Sequence, residues 1–268
     1  MSKKSDLGTR LVVAVVLIGL AFAALRLGGF AFWLVIVVAA VLMMGEWADL
    51  SNATPQQKRL SQYALSVPLA ILCPFAAGPG FFALGLLAGA FFFVAIVSRN
   101  VRLAAGTLYV GLPVFALLLL RAHPDGFLVT LWTMAVVWAC DTGAYFAGRA
   151  IGGPKLAPAI SPNKTWAGFV GGVVAALLFT LALVYLNPGL MAGSSMVLLS
   201  PWLAMLAQGG DLFESYLKRV AGVKDSGNLL PGHGGLLDRL DGLVPVAPVA
   251  AIFIAIQYAS TTGGTLWW

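Results

Sequence analysis

The sequence predicts an all-α polytopic integral membrane protein with about nine transmembrane helices, and three observations carry that prediction. The chain is 60% hydrophobic and 10% charged, with a mean hydropathy of +0.93, whereas soluble domains carry roughly 25% charged residues. Its apolar residues fall in long runs close to the ~20 residues a helix needs to cross a bilayer. Its basic residues segregate by side once those runs are laid across a membrane.

The runs lie near 9–27, 29–48, 61–78, 80–98, 104–121, 126–148, 165–187, 196–216 and 243–262. The first follows Lys3 and Lys4. Those lysines and the small residues of "AFAA" also fit a cleaved signal peptide, but the length of the run and its place as first anchor favour a retained helix. "LGG" at 27–29 separates the first run from the second, and "SNATPQQKR" at 51–59 separates the second from the third. "AGPG" at 77–80 is short enough to make the third and fourth an antiparallel hairpin, and "NPG" at 187–189 ends the seventh.

With the N-terminus inside, the inner segments hold fourteen basic residues: Lys3, Lys4, Arg10, Lys58, Arg59, Arg99, Arg102, Arg149, Lys155, Lys164, Lys218, Arg219, Lys224 and Arg239. The outer segments hold Arg26 and Arg121. That bias predicts a cytoplasmic N-terminus and an outer C-terminus, and it explains the net charge of +6 without a nucleic-acid partner. Residues 1–122 read as scaffold helices, and residues 123–268 as helices carrying inner, charged loops at 149–165 and 217–242. Cys73 and Cys140 fall toward opposite faces and read as packing residues rather than a disulfide.

Only ten residues are acidic, and four of them (Glu46, Asp141, Asp211 and Glu214) lie in or at the ends of apolar runs. A carboxylate there is costly unless paired or functional. Glu46, at the inner end of its helix, reads as structural and facing water. Asp211, Glu214, Ser215 and Lys218 are spaced i, i+3, i+4 and i+7, one polar stripe along a helix face. That stripe serves equally as a site or as a salt-bridge seam. Gly209 and Gly210 before it allow a close approach to the backbone. Asp141, Tyr145 and Gly148 share a second face whose small residues suit tight helix packing.

The connector "GGPKLAPAISPNKTWAG" (152–168) is stiffened by Pro154, Pro158 and Pro162. Thr165 is positioned as an N-cap. Lys164 beside it is unfavourable for the helix start but suited to a bound phosphate. The second connector, "SYLKRVAGVKDSGNLLPGHGGLLDRLDG" (215–242), holds seven charged residues and His233. Lys218, Arg219, Lys224 and Arg239 supply cations, and Asp225, Asp238 and Asp241 supply hard oxygen ligands. Gly232, Gly234 and Gly235 free backbone amides to meet an anion. This mixture suits magnesium held with polyphosphate. No Cys/His spacing suits zinc, and neither a Walker A loop nor GxGxxG is present.

This second connector resembles the signature of phosphatidate cytidylyltransferases (CDP-diacylglycerol synthases), through Ser215, Lys218-Arg219, Lys224-Asp225, Gly227, Pro231, His233-Gly234-Gly235, Asp238-Arg239 and Asp241. The resemblance continues upstream through "GDLFES" (210–215), "KLAPAISPNKTW" (155–166) and "DTGAYFAGR" (141–149), and so covers the C-terminal half. Ala167 departs from the Glu or Gln that many members carry after the "KTW" tryptophan, so no side-chain role is assigned there.

The resemblance implies transfer of CMP from CTP to phosphatidate, giving CDP-diacylglycerol and pyrophosphate in a bacterial-type cytoplasmic (inner) membrane, with the site on the cytoplasmic face. It implies Mg²⁺, with a second cation possible, at Asp211 and Asp238, with Lys218 and Arg239 beside them in catalysis. Substrate would be met by Ser161, Lys164, Thr165, Ser215, Arg219, Lys224, Asp225, His233, Gly234, Gly235 and Asp241, with Asp141 and Glu214 as further candidates. A homodimer is a family expectation. Since a phosphomonoester has a second pKa near 6, phosphatidate needs no general base, and His233 reads as a positioning group. A transporter would place its binding groups near the midplane instead. A lipid kinase would consume ATP, and the CDP-alcohol phosphotransferase motif is missing.

Overall fold

A computed structural model of the chain describes residues 3–190, 193–229 and 234–263. It forms two compact units. The first comprises the described residues of 1–118 and 220–240, and the second those of 119–219 and 241–268.

The first unit contains α1 (Lys3–Leu27), α2 (Gly29–Leu50), α3 (Pro55–Ile71), α4 (Phe81–Ser98), most of α5 (Val101–Ala122) and the one-turn α9 (Leu237–Leu240). Helix α3 begins six residues before the apolar run at 61–78 and ends earlier. The cause is local: Thr54 and Gln57 form a reciprocal capping box and Pro55 occupies the first turn, so the polar "PQQKR" stretch is helical. Pro74 follows shortly after the helix end. The helices are tied where indole and amide donors meet main-chain carbonyls. Trp33 Nε1 donates to Leu69 O at 2.9 Å, Trp47 Nε1 to Arg102 O at 2.8 Å, and Gln62 Nε2 to Val41 O at 3.0 Å.

The second unit contains α6 (Gly126–Ile151), β1 (Lys155–Ala157), β2 (Ser161–Thr165), α7 (Trp166–Leu186), α8 (Gly193–Val220) and α10 (Leu243–Thr261). The proline-rich connector closes as a small antiparallel hairpin, with Lys155 opposite Thr165 and Ala157 opposite Ser161. This pairing is an addition to the expected all-α architecture. It arises because prolines at 158 and 162 hold φ near extended or turn values. Helices α6 and α7 approach closely through glycine. A Cβ on Gly143 would collide with Ala175, one on Gly171 with Ala147, and one on Gly172 would lie 2.8 Å from Cys140 O. The packing face of α6 is thus formed by Cys140, Gly143 and Ala147, whereas Asp141 and Tyr145, read from sequence on a packing face, are exposed.

Seven described helices (α2, α4, α5, α6, α7, α8 and α10) are long and apolar enough to cross a bilayer. Phe82, Phe92 and Ile96 of α4 and Val170, Leu178 and Leu186 of α7 are exposed, as expected of helix faces whose solvent is lipid rather than water. The protein is an all-α membrane protein with a minimal sheet. Cys73 and Cys140 are both free thiols, and Cys140 is buried, in keeping with a packing role.

Candidate functional site

The polar side chains form two carboxylate centres, one in each unit. In the second unit, α8 projects Asp211 outward from a run of small and apolar residues. Lys164 Nζ, delivered by β2, meets Asp211 Oδ2 at 2.5 Å, so the cation at the entrance to α7 is balanced by a carboxylate. Ser215, one turn along α8, donates from Oγ to Asp211 Oδ1 at 3.4 Å. The stripe then continues as a separate pair, Glu214 Oε1 with Lys218 Nζ at 3.2 Å, with the Glu214 side chain only 1% exposed. The two readings of the stripe therefore divide along it: Glu214–Lys218 is a buried intrahelical ion pair, while Asp211 is 36% exposed.

Other predicted residues of this unit take positions around that helix. Thr165 caps α7, its Oγ1 accepting from Gly168 N at 3.1 Å. Arg219 Nε reaches Ile160 O at 3.5 Å, joining the end of α8 to the hairpin turn. Ser161 lies in β2 opposite Ala157. Asp141 is exposed on α6. Asp241, just before α10, has its carboxyl pushed up to about 7. Burial is the largest cause, followed by the charge of Asp211. Asp141 adds to the rise, while the Gly242 amide and Lys218 oppose it. Gly210 is approached by Asp241 O and Pro245, which a Cβ would meet at 2.5 and 2.7 Å, whereas Gly209 has open space. Of the two adjacent glycines, only Gly210 is needed for close packing.

In the first unit the centre is built from Asp238 at the start of α9 and Glu46 in α2. Asp238 Oδ2 accepts from Ser226 N at 2.9 Å, Ser226 Oγ at 3.0 Å and Gly235 N at 2.8 Å. The anion met by the Gly235 amide is thus a carboxylate of the same segment. Glu46 was read from sequence as structural but facing water. It is structural and buried, at 7% exposure. Its Oε1 accepts from Leu236 N at 2.8 Å, and its Oε2 from Leu237 N at 2.8 Å and Ser226 Oγ at 3.0 Å. Neither Glu46 nor Ser226 was singled out as a site residue. The available signal was a carboxylate inside an apolar helix, and the serine lying between Asp225 and Gly227 in the signature.

Glycines make room for this arrangement. Gly234 has φ +81°, and a Cβ there would sit 2.8 Å from Asp238 Oδ2. A Cβ on Gly235 would overlap Ser226 Oγ and lie 2.6 Å from Glu46 Oε2, and one on Gly227 would lie 2.9 Å from Glu46 Oε1. Lys224, Asp225 and Arg239 are exposed on this segment. His233 lies outside the described residues.

Among the described residues, no three His, Cys, Asp or Glu side chains form a ready-made metal cluster. The hard-oxygen donors present fit magnesium better than zinc, because magnesium is commonly held by one or two carboxylates and completes its shell with water and substrate phosphate.

Fold and site together define an integral membrane protein whose two carboxylate centres are built from apolar helices and the connectors between them. A sequence model described as "Cytidylyltransferase family" matches residues 8–257. The phosphatidate cytidylyltransferase of Brucella suis is 42% identical over 259 residues, covering 94% of each chain. The enzyme of the same name from Haemophilus influenzae is 42% identical over 132 residues, covering 48% of this chain and 46% of that one. The one from Staphylococcus saprophyticus is 44% identical over 136 residues, covering 51% and 52%. This chain belongs to the cytidylyltransferase family.

Proposed function

We propose that the protein is a phosphatidate cytidylyltransferase of phospholipid biosynthesis. It transfers CMP from CTP to phosphatidate, giving CDP-diacylglycerol and pyrophosphate. The observation that carries this reading is the 42% identity to the Brucella suis phosphatidate cytidylyltransferase across 94% of both chains. A phosphate oxygen of phosphatidate attacks the α-phosphorus of CTP. A new P–O bond forms as the α–β anhydride bond breaks, and the electron pair leaves with pyrophosphate.

The main obstacle is repulsion between two anionic substrates. Lys164, Lys218, Arg219, Lys224 and Arg239 are the cations placed on the relevant connectors to offset it. Lys164 holds Asp211 in place until phosphate competes for it, and Ser215 orients the same carboxylate. Magnesium would be held by Asp211 and by Asp238, and their pairing rests on the motif resemblance. When bound, the ion supplies charge neutralisation of the phosphates and of the leaving pyrophosphate. A second cation and a homodimer belong to the same reading.

The proposed placement is a bacterial cytoplasmic membrane, with the N-terminus and the site on the cytoplasmic side and the C-terminus outside. Nine crossings would comprise the seven long apolar helices together with α1, whose apolar part is Val15–Leu27, and the 17-residue α3. The fourteen-to-two division of basic residues supports this orientation. Single cysteines introduced at Asn100 and Gly78, in a Cys73→Ser background, should label from opposite sides of the membrane. Labelling of both from one side would overturn the topology.

The activity is tested with purified protein in mixed micelles, following pyrophosphate release. CTP, phosphatidate and Mg²⁺ should all be required. ATP consumption would indicate a kinase, CMP release a phosphotransferase, and solute flux without pyrophosphate a transporter.

A further inference from the structure

We propose that Glu46 is a positioning residue for the cytidylyl transfer, clamping the segment that presents Asp238. The inference rests on the reading of Asp238 as a metal-holding carboxylate and extends it to a helix remote in sequence.

The geometry is a shared scaffold. Three consecutive main-chain amides are divided between the two carboxylates: Gly235 N donates to Asp238 Oδ2, Leu236 N to Glu46 Oε1 and Leu237 N to Glu46 Oε2, each at 2.8 Å. Ser226 joins the two halves, its Oγ lying 3.0 Å from both Glu46 Oε2 and Asp238 Oδ2 while its amide donates to Asp238 at 2.9 Å. One hydroxyl carries one proton, so it serves only one of these oxygens at a time. The amide donors therefore carry most of the clamp.

Burying a carboxylate is expensive unless donors satisfy it, and this one is 7% exposed. The sequence around it is shaped to its volume. Gly227 and Gly235 leave the space its oxygens occupy, with a built Cβ falling 2.9 Å from Oε1 and 2.6 Å from Oε2. Leu237, fully buried in the same turn, anchors α9 from its apolar side. Removing the Glu46 oxygens would leave the Leu236 and Leu237 amides without these acceptors. The turn that fixes the Asp238 rotamer would then loosen.

The test compares Glu46→Gln, Glu46→Ala and Ser226→Ala with the natural protein in two measurements. The first is hydrogen exchange of the metal-free protein in micelles with EDTA. Both Glu46 variants should speed exchange of the amides at 234–238 and leave α6 and α7 unchanged. The second is steady-state pyrophosphate release with Mg²⁺ titration. Loss of an outer-sphere partner typically costs about 10–100-fold in metal affinity or activity. The Glu46 variants should accordingly lose about 10–100-fold in kcat and need about tenfold more Mg²⁺, with KM for phosphatidate within about twofold.

Unchanged exchange at 234–238 overturns the clamp. So does exchange raised throughout the protein with an unchanged Mg²⁺ requirement, which is the signature of lost folding alone. Should Glu46→Ala yield no folded protein, Ser226→Ala decides, with the same local exchange and about 3–10-fold less activity expected, as for loss of one neutral hydrogen bond, and natural behaviour overturning the proposal. Asp238→Asn separates the two layers. Full Mg²⁺-dependent rate there removes the metal reading and the catalytic consequence of the clamp, while the exchange result reports the clamp itself.

Discussion

The two carboxylate centres use the same functional group in opposite environments. In the first unit, Asp238 and Glu46 are supplied by the chain's own donors, chiefly consecutive amides of one turn. These bonds order the segment that presents Asp238. In the second unit, burial and then the charges of Asp211 and Asp141 push the Asp241 carboxyl up, and Lys164 is the cation seen on Asp211. A centre satisfied by backbone donors holds its carboxylates in fixed positions. A centre whose acids repel one another gains by binding a cation. The comparison teaches that two carboxylates of one motif can be positioned in different ways, Asp238 by main-chain and serine donors and Asp211 by a lysine from another element.

The sharpest way to break this comparison is to neutralise one acid in each centre. Asp211→Asn and Asp238→Asn should each reduce pyrophosphate release on the order of 10²–10³-fold, the range for removing one electrostatic contact to a transition state. Full Mg²⁺-dependent activity in either variant would remove that residue from the metal set. Next comes Gly235→Ala, which places a methyl where Ser226 Oγ and Glu46 Oε2 lie and should cost about 10–100-fold in rate, like other losses of ligand support. Gly209→Ala, which enters open space, is the control and should stay within about twofold, since alanine also suits a helix better by about 1 kcal/mol.

Lys164→Ala should raise KM for CTP about tenfold, the loss of one charge-assisted hydrogen bond worth roughly 1.5 kcal/mol. An unchanged KM, read from CTP titrations at saturating phosphatidate, would confine Lys164 to holding Asp211. The smallest effect concerns Asp241. Its folded carboxyl titrates near 7 rather than at 3.8. The folded state therefore holds a proton that the unfolded chain has released, and stability falls as pH rises from about 4 through about 7. In EDTA, Asp241→Asn should raise the melting midpoint by a few degrees at pH 8 and by less at pH 5. An equal gain at both pH values would show that ionisation of Asp241 carries no such cost.

Much of the architecture was legible in the chain because spanning helices are a property of composition and length. The seventh segment, read as 165–187, is α7 at Trp166–Leu186, and Thr165 caps it as its position implied. The last, read as 243–262, is α10 at Leu243–Thr261. The third was displaced, because a capping box outweighed hydropathy at its start. The 155–165 hairpin was not legible, since three prolines signal stiffness without specifying a register. In the site, the face shared by Asp211 and Ser215 followed from the helical repeat, but the partner of Asp211 did not, since Lys164 comes from another element.

The sequence by itself determined that this is a helical membrane protein, where its polar connectors fall, and which family signature they carry. Those properties depend on hydrophobicity and on spacing along one chain. Only the tertiary structure decided which carboxylates meet backbone amides and which meet one another. Glu46 and Leu237 are 191 residues apart, and a hydrogen bond reads distance and direction in space rather than along the sequence.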